Sequence, residues 1–110
     1  MSAKTNKIKI IESSGNVFAD LGLPDAEEML VKSKLAHQIT MLVDKAGLNQ
    51  TEAAKVLGVG QPKISLLRRG RLKEFSIERL MKFLNALDRD VVLTVRKARR
   101  GQEAKVLVEA

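Results

Sequence analysis

A mostly α-helical bundle closed by a C-terminal β-strand or hairpin is the fold this sequence predicts, and three observations predict it. Apolar residues recur at helical spacing through 24–46 and again through 77–87. Between them, QTEAAKVLGVGQPKISLLRR (50–69) carries the apolar set and the central Gly58 that two short helices around a tight turn require. After them, VVLTV (91–95) switches to a β-branched run. At 110 residues the chain is expected to hold one domain with a modest core. Its expected divisions are a flexible basic segment at 1–16, a helix-turn-helix domain at 17–88, and a strand region with a tail at 89–110.

Residues 1–16 open with alternating Lys7, Ile8, Lys9, Ile10 and Ile11, then break at Ser13, Ser14, Gly15 and Asn16. Two readings stand: a floppy basic tail, or a short strand that orders on a partner. Residues 17–23 are too apolar for a free linker. They are expected to fold back on the core through Phe18 and Leu21. Pro24 suits the first turn of a helix, and Asp25, Glu27 and Glu28 suit its positive end. That helix runs to Ala46 with Leu35, Ile39, Leu42, Val43 and Ala46 on one face, Met29 and Leu30 extending the strip, and Gly47 as its stop. His37 lies off the strip and is expected at the surface.

Asn49 is an N-cap for the helix 50–57. In the motif, Ala54 allows close crossing and Gly58 accepts a positive φ. Ala53, Val56, Leu57, Val59, Ile64 and Leu67 supply the apolar groups that lock the pair. Gly60 takes the N-cap of the second helix, Pro62 its first turn, and Gly70 its end. The outward set is Gln50, Gln61, Pro62, Lys63, Ser65, Leu66, Arg68 and Arg69, which is short, polar and basic and suits the DNA major groove. A basic loop follows at 71–75. Ser76 then caps a helix whose apolar face is Ile77, Leu80, Met81, Leu84 and Leu87.

The strand Val91, Val92, Leu93, Thr94 and Val95 has no evident partner in its own chain. Pairing with a second copy would satisfy its backbone, which makes these five residues the expected dimerisation element. A hairpin with residues 105–109 is the rival arrangement.

Composition narrows the function. The net charge is +7, and the stretch 61–82 alone carries seven basic residues against two acidic ones. A basic small domain points to a polyanion. Aromatic residues are 3% of the chain, which argues against a base-stacking surface for single strands. There is no Cys, one His and no Gly-rich phosphate loop, and Glu27 and Glu28 diverge on a helix. No enzyme activity, metal or cofactor is expected. No stretch approaches a membrane span and no secretory signal precedes the domain, so a soluble, cytoplasmic protein is expected.

Two spans, GNVFADLGLPDAEEMLVKSKLAHQI and LNQTEAAKVLGVGQPKISLLRRGRLKEFSIERLMKFLNALDRDVVLTV, resemble the Cro/repressor-type (XRE) helix-turn-helix proteins. Within them the chain is similar to the HigA-like antitoxins of bacterial type II toxin–antitoxin modules. VFADLGLPDAEE, LGVGQPKIS and FSIERL are the more specific pieces. The resemblance implies a five-helix-type repressor-like bundle that dimerises, binds an inverted repeat in its own promoter and represses it. It also implies a toxin partner, a RelE-like mRNA endonuclease, held through the N-terminal segment. A stand-alone or phage-type repressor without a toxin, or a pure protein-interaction module, are the other readings. Gly60 departs from the Ser or Thr of the pattern, which removes one side-chain cap and one phosphate contact.

Repressor-type docking assigns roles to the motif residues. Gln61, Pro62, Ser65 and Leu66 reach base edges, Gln61 as a bidentate partner for adenine and Pro62 and Leu66 as apolar contacts for thymine methyls. Gln50, Lys63, Arg68, Arg69 and Arg71 contact phosphates. For Arg68 and Arg69 the alternative is a solvated position favoured by the helix dipole.

Overall fold

The computed structural model describes residues 6–9 and 25–109. Their order is β1 (Asn6–Lys9), α1 (Asp25–Lys45), α2 (Gln50–Leu57), α3 (Gln61–Arg68), α4 (Ile77–Ala86) and β2 (Val92–Val95). Among the described residues there are four helices rather than five. The expected break at 13–16, the fold-back of Phe18 and Leu21, and the placement of Pro24 lie outside the described residues.

Helix α1 is the spine. Its first turn holds Asp25, Glu27 and Glu28 at the positive end of the dipole. It ends where Gly47 adopts φ 71° and the Leu48 N–H donates to the Val43 carbonyl at 3.1 Å, satisfying a carbonyl that the helix leaves open. The buried face is Val31, Leu35, Ala36, Ile39 and Val43, with Leu42 half-buried. Met29 and Leu30 do not extend it: they are 41% and 52% exposed. At 3.6 residues per turn Leu30 falls on the far side of the helix and Met29 at the margin of the buried face. Ala46 lies past the last helical residue and is also exposed. Lys32 is buried, and its ammonium sits 3.1 Å from the Glu28 carboxylate one turn earlier.

Helix α3 packs against α1 and α2, α2 also meets α4, and α4 packs along α1. The centre of the core is Ile39, Leu72, Phe75 and Leu80, the most completely enclosed large side chains. Two of these come from the connection 71–75, expected as a basic loop. It places Arg71 and Lys73 outside while Leu72 and Phe75 plug the junction of the helices. Phe75 meets Phe83 of α4 edge to face, with ring centres 6.0 Å apart at 73°. Phe83 widens the α4 face beyond the expected set, whose Ile77, Leu80, Met81 and Leu84 are all buried and whose Leu87 is half-buried. Ser76 caps α4 by accepting the Arg79 N–H at 3.0 Å.

The strand expectation is corrected. β2 pairs antiparallel with β1 of its own chain, Lys9 opposite Val92 and Asn6 opposite Val95. The premise that 91–95 lacks an internal partner therefore fails, because the N-terminal segment supplies one. The rival hairpin does not form either, since residues 105–109 are not a strand. They form no regular element, and Val106 and Val108 pack on the core. The Val106 N–H donates to the Glu27 carboxylate at 2.7 Å, and Arg96 pairs with Glu109 at 3.2 Å.

Candidate nucleic-acid interface

Two short helices and the turn between them build the site. Asn49 and Glu52 form a reciprocal cap: the Glu52 N–H donates to Asn49 Oδ1 at 2.8 Å and the Asn49 N–H to Glu52 Oε1 at 2.9 Å. This holds the first turn of α2, with Gln50 at its exposed start. Ala53, Ala54 and Leu57 face inward. Val56, expected in the lock, is 41% exposed, because it sits roughly a quarter turn away from that face. Gly58 ends α2 in the left-handed region at φ 71°, and the Val59 N–H donates to the Ala54 carbonyl at 3.0 Å. The turn thus needs the residue that carries no Cβ penalty at positive φ.

Helix α3 starts at Gly60 with no side-chain cap, as the Gly for Ser or Thr exchange implies. Its buried residues are Ile64 and Leu67. Gln61 and Pro62 stand exposed at the open N-terminal end. Ser65 and Leu66 are half-buried one turn on, with Leu66 also resting on the core. The Gln61 side chain is not a free rotor. Its Nε2 donates to Thr51 Oγ1 of α2 at 3.1 Å. Donation to Thr51 leaves one amide N–H and the amide oxygen for an external partner. That donor–acceptor pair matches N7 and N6 of adenine.

The cations divide into two groups. Lys63 is engaged inside the molecule: its ammonium lies 2.9 Å from Glu74 and 5.5 Å from the Phe75 ring centre. Arg68 reaches Asp44 of α1 at 2.6 Å. Arg69, at the C-cap of α3, and Arg71 are exposed and make no ion pair among the described residues. Arg71 is held by its backbone N–H, which donates to the Leu66 carbonyl at 2.9 Å. Sequence reasoning missed Thr51, Glu74 and Asp44. Each partners its predicted residue from 10 or more positions away, a separation that no local pattern encodes.

The expected dimerisation residues sit elsewhere. Val91 and Leu93 are half-buried, whereas Val92, Thr94 and Val95 are exposed on the two-stranded ribbon. Among the described residues no cluster of His, Asp or Glu could hold a metal ion, and no helix is long and apolar enough to cross a membrane.

The comparisons agree with this geometry. A family model described as a helix-turn-helix domain matches residues 17–96. A solved structure described as an XRE family transcriptional regulator is 48% identical, with a TM-score of 0.75 over 79% of this chain and 99% of that one. No curated protein matches the chain. The match over most of the chain, with the capped α2, the left-handed turn and the exposed start of α3, places this protein in the helix-turn-helix family of XRE-type transcriptional regulators.

Proposed function

We propose that this protein is a sequence-specific repressor that binds an inverted repeat in its own promoter as a homodimer, and that it is the antitoxin of a type II module with a RelE-like mRNA endonuclease as its toxin. The observation that carries the repressor reading is Gln61, exposed at the N-terminal end of α3 and tied to Thr51. A side chain so placed presents a fixed donor and acceptor where helix-turn-helix proteins meet base edges. Gln61, Pro62, Ser65 and Leu66 are the proposed base contacts. Gln50, Arg69 and Arg71 are the proposed phosphate contacts, with Lys63 and Arg68 in lesser roles because acids already neutralise them.

Two-fold operators call for two-fold proteins, which motivates the homodimer. The ribbon supports it through Val92 and Val95, which are 50% and 57% exposed. Equilibrium sedimentation at micromolar concentration should report a dimer, and a monomer would count against it.

The antitoxin role rests on the resemblance to HigA-like proteins. One observation favours the second reading, a repressor with no toxin. Asn6–Lys9, in the segment expected to hold a toxin, is already paired with β2. Fluorescence anisotropy across a salt series, with the protein's own upstream DNA and a random duplex of equal length, tests the repressor reading. Tight binding to the upstream DNA with a steep salt slope is expected. Equal weak binding to both duplexes would overturn it. Co-expression with the neighbouring open reading frame tests the toxin: that frame should arrest growth alone and lose the effect with this chain.

A further inference from the structure

We propose that the loop between β2 and the C-terminal segment is a second DNA-backbone site, separate from the helix-turn-helix. Beyond the basic first 16 residues, excess positive charge in this chain lies in two stretches. Residues 61–82 carry net +5 and residues 96–105 net +4, so the rest of the chain, those 16 included, is net −2. The first stretch belongs to the interface described above. The second lies almost wholly beyond the matched family region, which ends at residue 96.

The loop is anchored at both ends. Before it, β2 is paired with β1. After it, Val106 and Val108 pack on the core and the Val106 N–H is held by Glu27. The Arg96–Glu109 ion pair closes the base of the loop. At the tip the Gln102 N–H donates to the Arg99 carbonyl at 3.0 Å, with Gly101 at φ 77° completing the turn. Arg96, Lys97, Arg99, Gln102, Glu103 and Lys105 line a concavity of about 330 Å³. Lys97, Arg99, Arg100 and Lys105 are exposed and make no ion pair among the described residues.

A solvated loop needs no concave basic surface with closed ends. Lys97, Arg99 and Lys105 line this concavity and Arg100 stands beside them, a set of cations that suits the phosphates of a nucleic-acid backbone and would bind them without reading sequence. The choice of DNA as the polyanion rests on the repressor reading, since duplex DNA is the polyanion that reading already brings to this chain.

The test is the full-length variant K97Q/R99Q/R100Q/K105Q against the wild type, on upstream DNA and on a random duplex, across a salt series. The substituted side chains are exposed, and a thermal melt checks that the fold is kept. We expect the salt slope to become shallower by about two to four units on both duplexes, with the preference for upstream DNA retained. Unchanged slopes would overturn the proposal. So would binding to a poly-glutamate chain that the variant loses while its DNA binding is unaltered, because the partner would then be an acidic protein. If the wild type shows no preference for upstream DNA, the repressor reading fails, yet the slopes on the random duplex still decide the loop.

Discussion

The Gln61 amide donates to the Thr51 hydroxyl at 3.1 Å, joining the first turns of the two helices of the motif. Neither residue is buried. The bond therefore adds little to stability, and its consequence is orientation. A free glutamine side chain samples several rotamers, and ordering it at a DNA interface would cost conformational entropy. In the proposed base contact, Thr51 would remove part of that cost before DNA arrives.

Replacing Thr51 by Val keeps the shape and deletes the hydroxyl. Specific binding should weaken by about 0.5–1.5 kcal/mol, the range for one neutral hydrogen bond, with non-specific binding unchanged. Thr51→Ser should restore most of it. If Thr51→Val weakens every duplex equally, the hydroxyl serves a phosphate and not Gln61.

Gln61→Ala should weaken specific binding by about 1–3 kcal/mol and barely alter non-specific binding. In the double variant the effect of Thr51→Val should vanish, because the hydroxyl acts only through Gln61. Additive losses in titrations of all four proteins would separate the two residues.

Arg69 and Lys63 should behave differently although both are cations of the recognition helix region. Arg69→Ala should make the salt slope shallower by about one unit on any sequence. Lys63→Ala should change it less, because Glu74 already neutralises the ammonium and would have to be displaced. Equal changes in slope would show that the Glu74 pair opens on DNA.

Phe75→Ala removes the ring at the junction of the core and its edge-to-face contact with Phe83. We expect a loss of about 3–5 kcal/mol in chemical denaturation. DNA binding should fall with the folded fraction, and ligand-stabilised refolding should recover it. A loss below 1 kcal/mol would mean that the connection 71–75 is not part of the core.

The motif was legible because its constraints are local. Gly58 must take a positive φ, Asn49 must precede the first turn, and Ala53, Ala54 and Leu57 must share a face. Each requirement is met within a few residues of the chain. The face of α4 was legible for the same reason. Val56, Met29 and Leu30 were misplaced because an apolar residue beside a helical stripe looks like part of it until the packing partner sets the width. Leu72 and Phe75 were masked by Arg71 and Lys73, whose charge made the whole connection read as surface.

The sequence by itself determined a helical bundle with a helix-turn-helix, a basic stretch over 61–82 and a C-terminal strand, since periodicity, capping and turn chemistry act over one or two turns. The tertiary structure alone decided which distant groups meet. It paired Asn6–Lys9 with Val92–Val95, neutralised Lys63 and Arg68 with Glu74 and Asp44, and set Thr51 against Gln61. The physical reason is that such contacts depend on how helices cross and where the chain returns. The packing of the whole core fixes these, and no pattern along the chain records them.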